Sequence, residues 1–293
     1  MLSRVCPFLL GWVPRDIRLL YPFYLAGHLN TVEAELPCQA LPEALDGLSV
    51  AFASDIHYGP LLGRREALRL YERLLALQAD LCVLGGDYGD TVENAVLFFE
   101  QLPPFPPGRP VVAVLGNHDY GRSRQPDGRL LLAMRDKNVI PLVNQTHCLT
   151  REGAVVAVCG PDDFRCGKPD LGALGEQSKD ADFVLFIPHS PDILPLAAEQ
   201  GFRFHLALCG HTHGGQIILF GRSLHSSSIY KDRYRSGWYR EAGADILVSE
   251  GVGTSILPMR LGTRSQVHRL VLRAVPQREA GVRIEGQARD IPQ

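Results

Sequence analysis

Short, continuous apolar runs recur along the chain, and such runs are typical of strands buried inside a sheet. Residues 64–79 and 91–102 separate the first three runs and carry apolar side chains at helical spacing. Alternation of strand and helix predicts an α/β fold built on parallel strands. The runs that we predict as strands span residues 48–54, 81–84, 111–115, 155–159, 183–187 and 205–209.

The last part of the chain has a weaker pattern. Residues 216–220 follow a Gly-Gly turn and predict one more strand. Residues 246–249 and 267–272 are apolar, and we expect them to belong to a second sheet. Residues 219–241 are rich in Ser, Tyr and Arg, which is compatible with either a substrate lid or a surface hairpin.

Polar motifs follow the predicted strands, each where a strand ends. Because ligands of α/β proteins bind beyond the carboxyl ends of the strands, we expect these motifs to converge although they are far apart in sequence. They combine carboxylate, carboxamide and imidazole groups, which are ligands for Mn²⁺, Fe and Zn²⁺. The motifs are Asp55-x-His57, Gly86-Asp87-x-x-Asp90, Gly116-Asn117-His118-Asp119, His189 and Gly210-His211-Thr212-His213.

The motifs together predict a centre of two divalent metal ions, for which Mn²⁺ is our first choice and Fe or Zn²⁺ the alternatives. Asp87 is the predicted bridge, because a carboxylate can give one oxygen to each ion. His211 and His213 lie two apart on a segment that we predict to be extended, and we expect them to reach neighbouring ions. A hydroxide between the ions would attack phosphorus. The other predicted ligands are Asp55, His57 and His213 for the first ion, and Asn117, His189 and His211 for the second.

Three further residues complete the predicted catalytic set. His118 would give a proton to the leaving oxygen, and Asp119 would orient its ring. The Asp90 carboxylate would hydrogen-bond a metal-binding side chain and hold it in position, without binding the metal itself. Two alternatives stay open, since His118 is also suited to metal binding and Asp90 or Thr91 is suited to capping the helix that follows.

Composition places the chain among ordinary globular proteins, with 45% hydrophobic residues, 21% charged residues and a net charge of −2. This charge makes nucleic acid an unfavourable partner. Seven cysteines without C-x-x-C spacing predict free thiols and a reducing, cytoplasmic location. We expect one domain over residues 48–275, a lead-in over 1–47 and a polar tail over 276–293, whereas oligomeric state is left open.

The first thirty residues are amphiphilic. Their apolar stretches are broken by proline and fall short of the roughly 20 residues that a membrane-spanning helix needs. Aromatic and basic residues alternate there, which predicts either docking on an anionic membrane, at its inner face, or a strap packed on the domain. The residues are Arg4, Phe8, Trp12, Arg15, Arg18, Tyr21, Phe23 and Tyr24.

At these five motifs, over residues 48–272, the chain resembles the calcineurin-like metallophosphoesterase superfamily. The resemblance implies a four-layer α/β/β/α sandwich with two mixed β-sheets and a binuclear site between the sheet edges. It implies the same ligand roles as above and a catalytic role for His118. A closer resemblance is to the bacterial branch with membrane-associated phosphodiesterases and a UDP-diacylglucosamine pyrophosphatase of lipid A synthesis. The closer likeness rests on residues 54–57, 189–192, 211–216 and 253–260.

The motifs and the resemblance predict a metal-dependent hydrolase of phosphodiester or pyrophosphate bonds, with a phosphorylated small molecule or a lipid-linked nucleotide sugar as substrate. A soluble phosphodiesterase for nucleotides or nucleic acid is the second hypothesis, which salt dependence of binding would test. A metal-stabilised scaffold without turnover is a third, and His118 argues against it because a scaffold needs no proton donor.

Overall fold

The computed structural model describes residues 21–121 and 124–275, and its first half follows the strand-and-helix alternation of the sequence. Helix α1 precedes the first strand, and the later helices connect strands that lie parallel to one another. In chain order the elements are α1 (Tyr21–Gly27), β1 (Asn30–Cys38), β2 (Ser49–Ala53), α2 (Arg64–Ala76), β3 (Leu81–Leu84), α3 (Val92–Gln101), β4 (Val111–Ala113), α4 (Gly128–Asp136) and β5 (Val139–Pro141).

The second half has more strand and shorter helices. Single 3₁₀ turns occur at Glu43–Leu45 and Asn117–Asp119 in the first half, and at Pro191–Ile193, His213–Gly215 and Lys231–Tyr234 in the second. The elements are β6 (Gln145–Arg151), β7 (Ala154–Gly160), α5 (Leu171–Gln177), β8 (Phe183–Phe186), α6 (Leu194–Glu199), β9 (Leu206–Cys209), β10 (Ile218–Leu219), β11 (Arg222–Ser223), β12 (Gly237–Glu241), β13 (Ala244–Val248) and β14 (Gln266–Ala274).

Two six-stranded sheets are formed by these strands. The first has the order β1-β14-β2-β3-β4-β5 and is parallel except where β14 pairs with β2. The second has the order β12-β13-β9-β8-β7-β6, with antiparallel pairs at both edges and parallel pairs inside. Both sheets are therefore mixed, as the resemblance implied.

Alternation along β2 shows how the layers are built. Val50 and Phe52 point into a core shared by both sheets, where Leu185 and Leu208 of the second sheet also lie. The small residue Ala51 faces the opposite side, in the core formed with α2, α3 and α4. Helices α5 and α6 cover the outer face of the second sheet. The predicted α/β/β/α sandwich is confirmed.

Two strand predictions were wrong. Residues 267–272 belong to the first sheet, where Leu270 and Leu272 join the core between the sheets. Periodicity identifies a strand but not its neighbours, and here a long crossover returns the chain beside β2. Within the predicted strand 216–220, only Ile218–Leu219 is extended, because Gln216 and Phe220 have left-handed φ angles of 51° and 50°.

The predicted lead-in contains a strand of the domain. Strand β1 pairs with β14 over nine residues, so the first sheet begins at Asn30 rather than after residue 47. Helix α1 is tied to the domain, because its Pro22 and Leu25 carbonyls accept bonds from the amides of Arg260 and Ser265. Residues 1–20 and the tail 276–293 lie outside the described residues. Among the helices that are described, none has the length and apolar character needed to cross a membrane.

Candidate metal centre

The structure brings the polar motifs together where the strands of both sheets end. Three groups of side chains can each be defined whose ligand atoms lie within 4.8 Å of one another, and two residues, His57 and Asp87, each belong to two of these groups. The groups are Asp55, His57 and His213; His57, Asp87 and His118; and Asp87, His189 and His211.

The first group lies against the loop that follows β2. The Nε2 atom of His213 is 3.0 Å from Nε2 of His57 and 3.7 Å from Oδ1 of Asp55. The second oxygen of Asp55, Oδ2, is buried and has no hydrogen-bond partner. One carboxylate oxygen and two imidazole nitrogens therefore face one point, as the ligands of one metal ion do.

The third group, of Asp87, His189 and His211, is centred on Asp87. Its Oδ2 atom is 3.2 Å from Nε2 of His189, which in turn is 3.3 Å from Nδ1 of His211. The same Oδ2 is 3.7 Å from Nε2 of His57, so it links the two groups. Asn117 lines a cavity that opens onto these groups, and its buried Oδ1 has no hydrogen-bond partner.

Unpartnered atoms test whether these residues fit metal ions. Buried polar atoms are normally hydrogen-bonded, so the free oxygens of Asp55 and Asn117 are unusual for a packed interior. Nitrogen ligands about 2.1 Å from one ion, at right angles, lie about 3.0 Å apart, as the nitrogens of His57 and His213 do. The oxygen and imidazole donor set suits Mn²⁺, Fe or Zn²⁺. The residues therefore fit divalent metal ions.

The outer nitrogen of three histidines is held by an oxygen. His57 Nδ1 is 3.1 Å from Oδ1 of Asp90, His189 Nδ1 is 2.8 Å from the Gly85 carbonyl, and His211 Nε2 is 3.2 Å from the Ser227 carbonyl. Such contacts fix the ring orientation and leave the inner nitrogen free to bind a metal.

Five of the candidate ligands have a strained backbone conformation. Left-handed φ angles are rare outside glycine and cost of the order of 1–3 kcal/mol each. His211 and His213 have φ angles of 72° and 51°, so the segment between them is a tight turn rather than the extended one we predicted. It still directs the two rings to different groups. Other left-handed residues of the centre are Asp55 (54°), His57 (51°) and Asp87 (56°).

Gly116 shows how closely the loops approach. A Cβ atom at this position would overlap Oδ1 of Asp87 and lie 2.7 Å from Cε1 of His189. A side chain here would therefore displace the carboxylate that links the two groups.

The predicted role of Asp119 was wrong in its geometry. Its carboxylate does not orient the His118 ring but accepts backbone bonds, from Asp87 and Gly116 at 2.8 Å and from Tyr88 at 3.0 Å. Asp119 therefore braces the loop of Asp87 against the loop after β4. Nδ1 of His118 lies instead 3.3 Å from the Asp90 carbonyl.

Asp90 and Thr91 have separate tasks. The Asp90 carboxylate contacts His57, whereas the hydroxyl of Thr91 accepts the Asn94 amide and caps α3. His118 lies on the cavity wall, and its backbone amide donates to Asp87 at 2.8 Å. Its presence in a candidate ligand group keeps metal binding by His118 open beside proton donation.

The electrostatics favour neutral His211 and His213 but protonated His189 and His57. Burial opposes the charge on both of the latter, yet Asp87 raises the pKa of His189 to about 10, and Asp90 and Asp87 raise the pKa of His57. Burial and the nearby His189 lower the pKa of His211 to about 3, and burial with His57 lowers the pKa of His213 well below its usual value. Burial opposes ionisation of Asp87, but the charges of His189 and His57 hold its pKa well below the ordinary range. Metal binding needs neutral imidazole and ionised carboxylate.

Two arginines were missed in the sequence. Arg260 is fully buried, and its guanidinium donates to the carbonyls of His213, Glu250, Gly251 and Gly253. The resemblance included this residue, but no local pattern marks an arginine as buried. Arg165 lies on the cavity wall and donates to the Ser227 carbonyl. Arg165 lies a few residues after β7, and the other motifs also follow strands. This position was the available signal that Arg165 belongs to the site.

A cavity of about 400 Å³ opens onto the centre. Its inner end is lined by Asp87, Asn117, His118, His211 and His213. Its outer walls carry Arg165 and the apolar residues Ile217, Leu224, Ile256 and Leu257. Fold, cavity and ligand set are those of a metal-dependent phosphoesterase.

Comparison with known proteins agrees with this class. The family model for the calcineurin-like phosphoesterase matches residues 48–215, which is more than half of the chain. The chain belongs to the calcineurin-like phosphoesterase family, a family that depends on divalent metals.

Curated relatives are found in bacteria and animals. The chain is 29% identical to a bovine "Transmembrane protein with metallophosphoesterase domain" over 260 residues, covering 83% of this chain and 56% of that protein. It is 26% identical to the "Uncharacterized metallophosphoesterase YkuE" of Bacillus subtilis, with 84% and 87% covered. It is 28% identical to the "Phosphodiesterase YaeI" of Escherichia coli, with 76% and 81% covered. The chain thus spans little more than half of the bovine relative.

Proposed function

We propose that this protein hydrolyses phosphodiester or pyrophosphate bonds with a binuclear centre, for which Mn²⁺ is the first choice. The observation that carries the proposal is the position of Asp87, the carboxylate whose Oδ2 lies 3.7 Å from Nε2 of His57 and 3.2 Å from Nε2 of His189. One carboxylate shared by two sites is what a pair of ions about 3.5–4 Å apart requires. The proposed ligands are Asp55, His57, Asp87, Asn117, His189, His211 and His213.

Divalent ions bound here would acidify a water molecule and stabilise the charge on a phosphoryl oxygen. The protein's own contribution is to hold the ligands rigidly, through Asp119, Asp90 and Arg260. Rigid placement matters because ligands that need no rearrangement leave more binding energy for the transition state.

His118 and Arg165 are the proposed contacts for the reacting phosphate. Both line the cavity above the ligands. His118 gives a proton to the leaving oxygen, and the Asp90 carbonyl beside its Nδ1 sets the ring orientation. Arg165 presents a guanidinium, which matches the geometry and charge of a phosphate group.

The substrate we propose has an apolar part next to its phosphate. The outer cavity is walled by Ile217, Leu224, Ile256 and Leu257, which offer no hydrogen bonds from their side chains. A lipid-linked nucleotide sugar meets this description, and a soluble nucleotide does so only through its base. Nucleic acid is disfavoured by the net charge of −2.

Metal content and turnover test the proposal together. Asp87→Ala should lose both ions and hydrolysis of bis(p-nitrophenyl) phosphate, because the carboxylate serves both groups. The exposed residue Asp136 on α4 offers a matched control, and Asp136→Ala should keep two ions per chain and full turnover. Two ions retained in Asp87→Ala would refute the bridging role. Hydrolysis of lipid and nucleotide extracts, with products identified by mass, would then identify the substrate.

A further inference from the structure

Exposed apolar side chains are concentrated around the mouth of the cavity. Among the described residues, large apolar side chains that are exposed elsewhere are Val32, Leu97 and Leu132. We use the name apolar rim for the six others, which are Leu219, Phe220, Leu224, Ile229, Ile256 and Leu257.

Two segments that carry five of the six rim residues form one surface. The sixth residue, Ile229, lies in the segment that follows Leu224, and Ser227 of that segment lines the same cavity. The side chain of Gln216 donates to the Leu257 carbonyl at 3.0 Å and accepts the Ser255 amide at 2.9 Å. The amide of Ile218 donates to the Leu261 carbonyl at 2.7 Å. Residues 216–224 and 255–261 are therefore hydrogen-bonded neighbours, and a contiguous apolar patch of this kind marks an interaction site.

Phe220 is the most prominent residue of the rim. It occupies the tip of the β10–β11 hairpin with Gly221, and both have positive φ angles, 50° and 79°. Tight hairpin tips of this kind favour Asn-Gly. A fully exposed phenylalanine is unfavourable there for two reasons, because its backbone has a positive φ angle and because its apolar ring is in contact with water. Ile256 combines a φ of 65° with 85% exposure in the same way. Neither side chain is stabilised by burial within the domain.

Positive charge surrounds the apolar rim. Residues 216–236 and 253–264 contain one acidic residue, Asp232, and several basic residues, although the net charge of the whole chain is −2. Arg222, Lys231 and Arg233 are exposed. Exposed apolar side chains among basic ones are the combination that binds an anionic membrane surface. The basic residues outside the interior are Arg222, Lys231, Arg233, Arg235 and Arg264, of which Arg233 also pairs with Glu241 and Arg235 with Asp232.

We propose that the apolar rim inserts into the headgroup region of an anionic phospholipid bilayer, with the basic residues on the surrounding phosphates. The cavity mouth then faces the bilayer, so that an amphiphilic phosphoester can enter it without leaving the membrane. The substrate class rests on the proposed function, whereas docking itself does not. The surface is distinct from the amphiphilic first twenty residues.

The rim is fastened to the metal centre, so docking fixes the direction of the cavity. The Ser227 carbonyl accepts from His211, and the hydroxyl of Thr212 donates to the Arg235 carbonyl at 2.6 Å. Buried Asp192 accepts from Ser228 and from the Ile229 amide. Through these contacts a bilayer held by the rim lies over the ligands.

Sedimentation with vesicles tests the docking without substrate. The full chain should bind phosphatidylcholine vesicles that contain phosphatidylglycerol and bind neutral vesicles far less. The double variant Phe220→Ser, Ile229→Ser should lower the partition coefficient by about tenfold or more, since burial of each side chain at the interface is lost. The double variant Arg222→Gln, Lys231→Gln should lower it by roughly fivefold for each charge removed.

Leu97→Ser, Leu132→Ser is the matched control, because both residues are exposed but lie on helices α3 and α4, away from the rim. It should bind as the parent chain does, and thermal unfolding checks that every variant is folded. Unchanged binding of the Phe220 variant would overturn the proposal, as would a rim-dependent dimer that ignores vesicles. Binding lost only on removal of residues 1–20 would overturn it too. Failure of the proposed function is seen separately, as absent hydrolysis of the soluble diester.

Discussion

Replacing Arg260 with methionine tests how the turn that carries His213 is held. The buried guanidinium donates to four backbone carbonyls, two of which belong to Gly251 and Gly253 beside the loop of Asp55. Methionine fills a similar volume but donates nothing, so four carbonyl groups lose a partner. We expect lower stability and weaker metal binding in this variant.

The size of the effect follows from two opposing terms. Burial lowers the pKa of Arg260 to about 10, which corresponds to about 3 kcal/mol against the charged form. A hydrogen bond to a charged group contributes about 1.5–3 kcal/mol, so four of them outweigh this cost by about 3 kcal/mol or more. In a domain of this size each kcal/mol moves Tm by about 2–4 °C. The expected decrease in Tm is therefore about 10 °C.

Thermal unfolding and metal analysis measure the two effects. Arg264→Met is the control, because Arg264 is exposed and close in sequence, and its Tm should move by less than about 2 °C. The metal content of Arg260→Met should fall, since the His213 carbonyl is one of the groups held. A Tm and metal content equal to those of the control would refute the account of Arg260 as the clamp of this turn.

Three further predictions concern other residues. His118→Ala should lower the rate on alkyl esters by about 10²–10⁴ but much less on p-nitrophenyl esters, whose leaving group hardly needs a proton; equal losses would favour metal binding or phosphate positioning. Asp119→Asn replaces one carboxylate oxygen with an NH2 donor, which must face either the Tyr88 amide or the amides of Asp87 and Gly116. Metal affinity measured by titration should therefore fall about 10–100-fold, and an unchanged affinity would contradict the bracing role. Burial lowers the pKa of His268 from 6.5 to about 4. Between these pH values the unfolded chain binds more protons than the folded chain does. The free energy of unfolding should therefore decrease by about 3 kcal/mol as pH falls from 6.5 to 4. Urea unfolding with chelator should show a smaller loss in His268→Gln, and an identical pH profile would contradict the assignment.

The pattern of residues along the chain determined a large part of the fold. The predicted runs became β2, β3, β4, β7, β8 and β9, with no end shifted by more than two residues. A continuous apolar run between helices has few stable arrangements other than a buried strand. The five motifs could be found for a similar reason, since each follows a strand directly. Their convergence follows from parallel strands ending at one edge.

Other features were decided only by the tertiary structure. The place of β14 between β1 and β2 depends on a crossover that no local pattern encodes. The tight turn of His211 to His213 contradicts local preference and persists because surrounding contacts, such as that of Arg260, hold it. Asp119 binds amides from two loops, one of them more than thirty residues away. Local patterns in the sequence thus determined which residues can bind metal. The geometry of these residues, and the contacts that hold them in place, come from segments that are distant in the sequence, which periodicity cannot reveal.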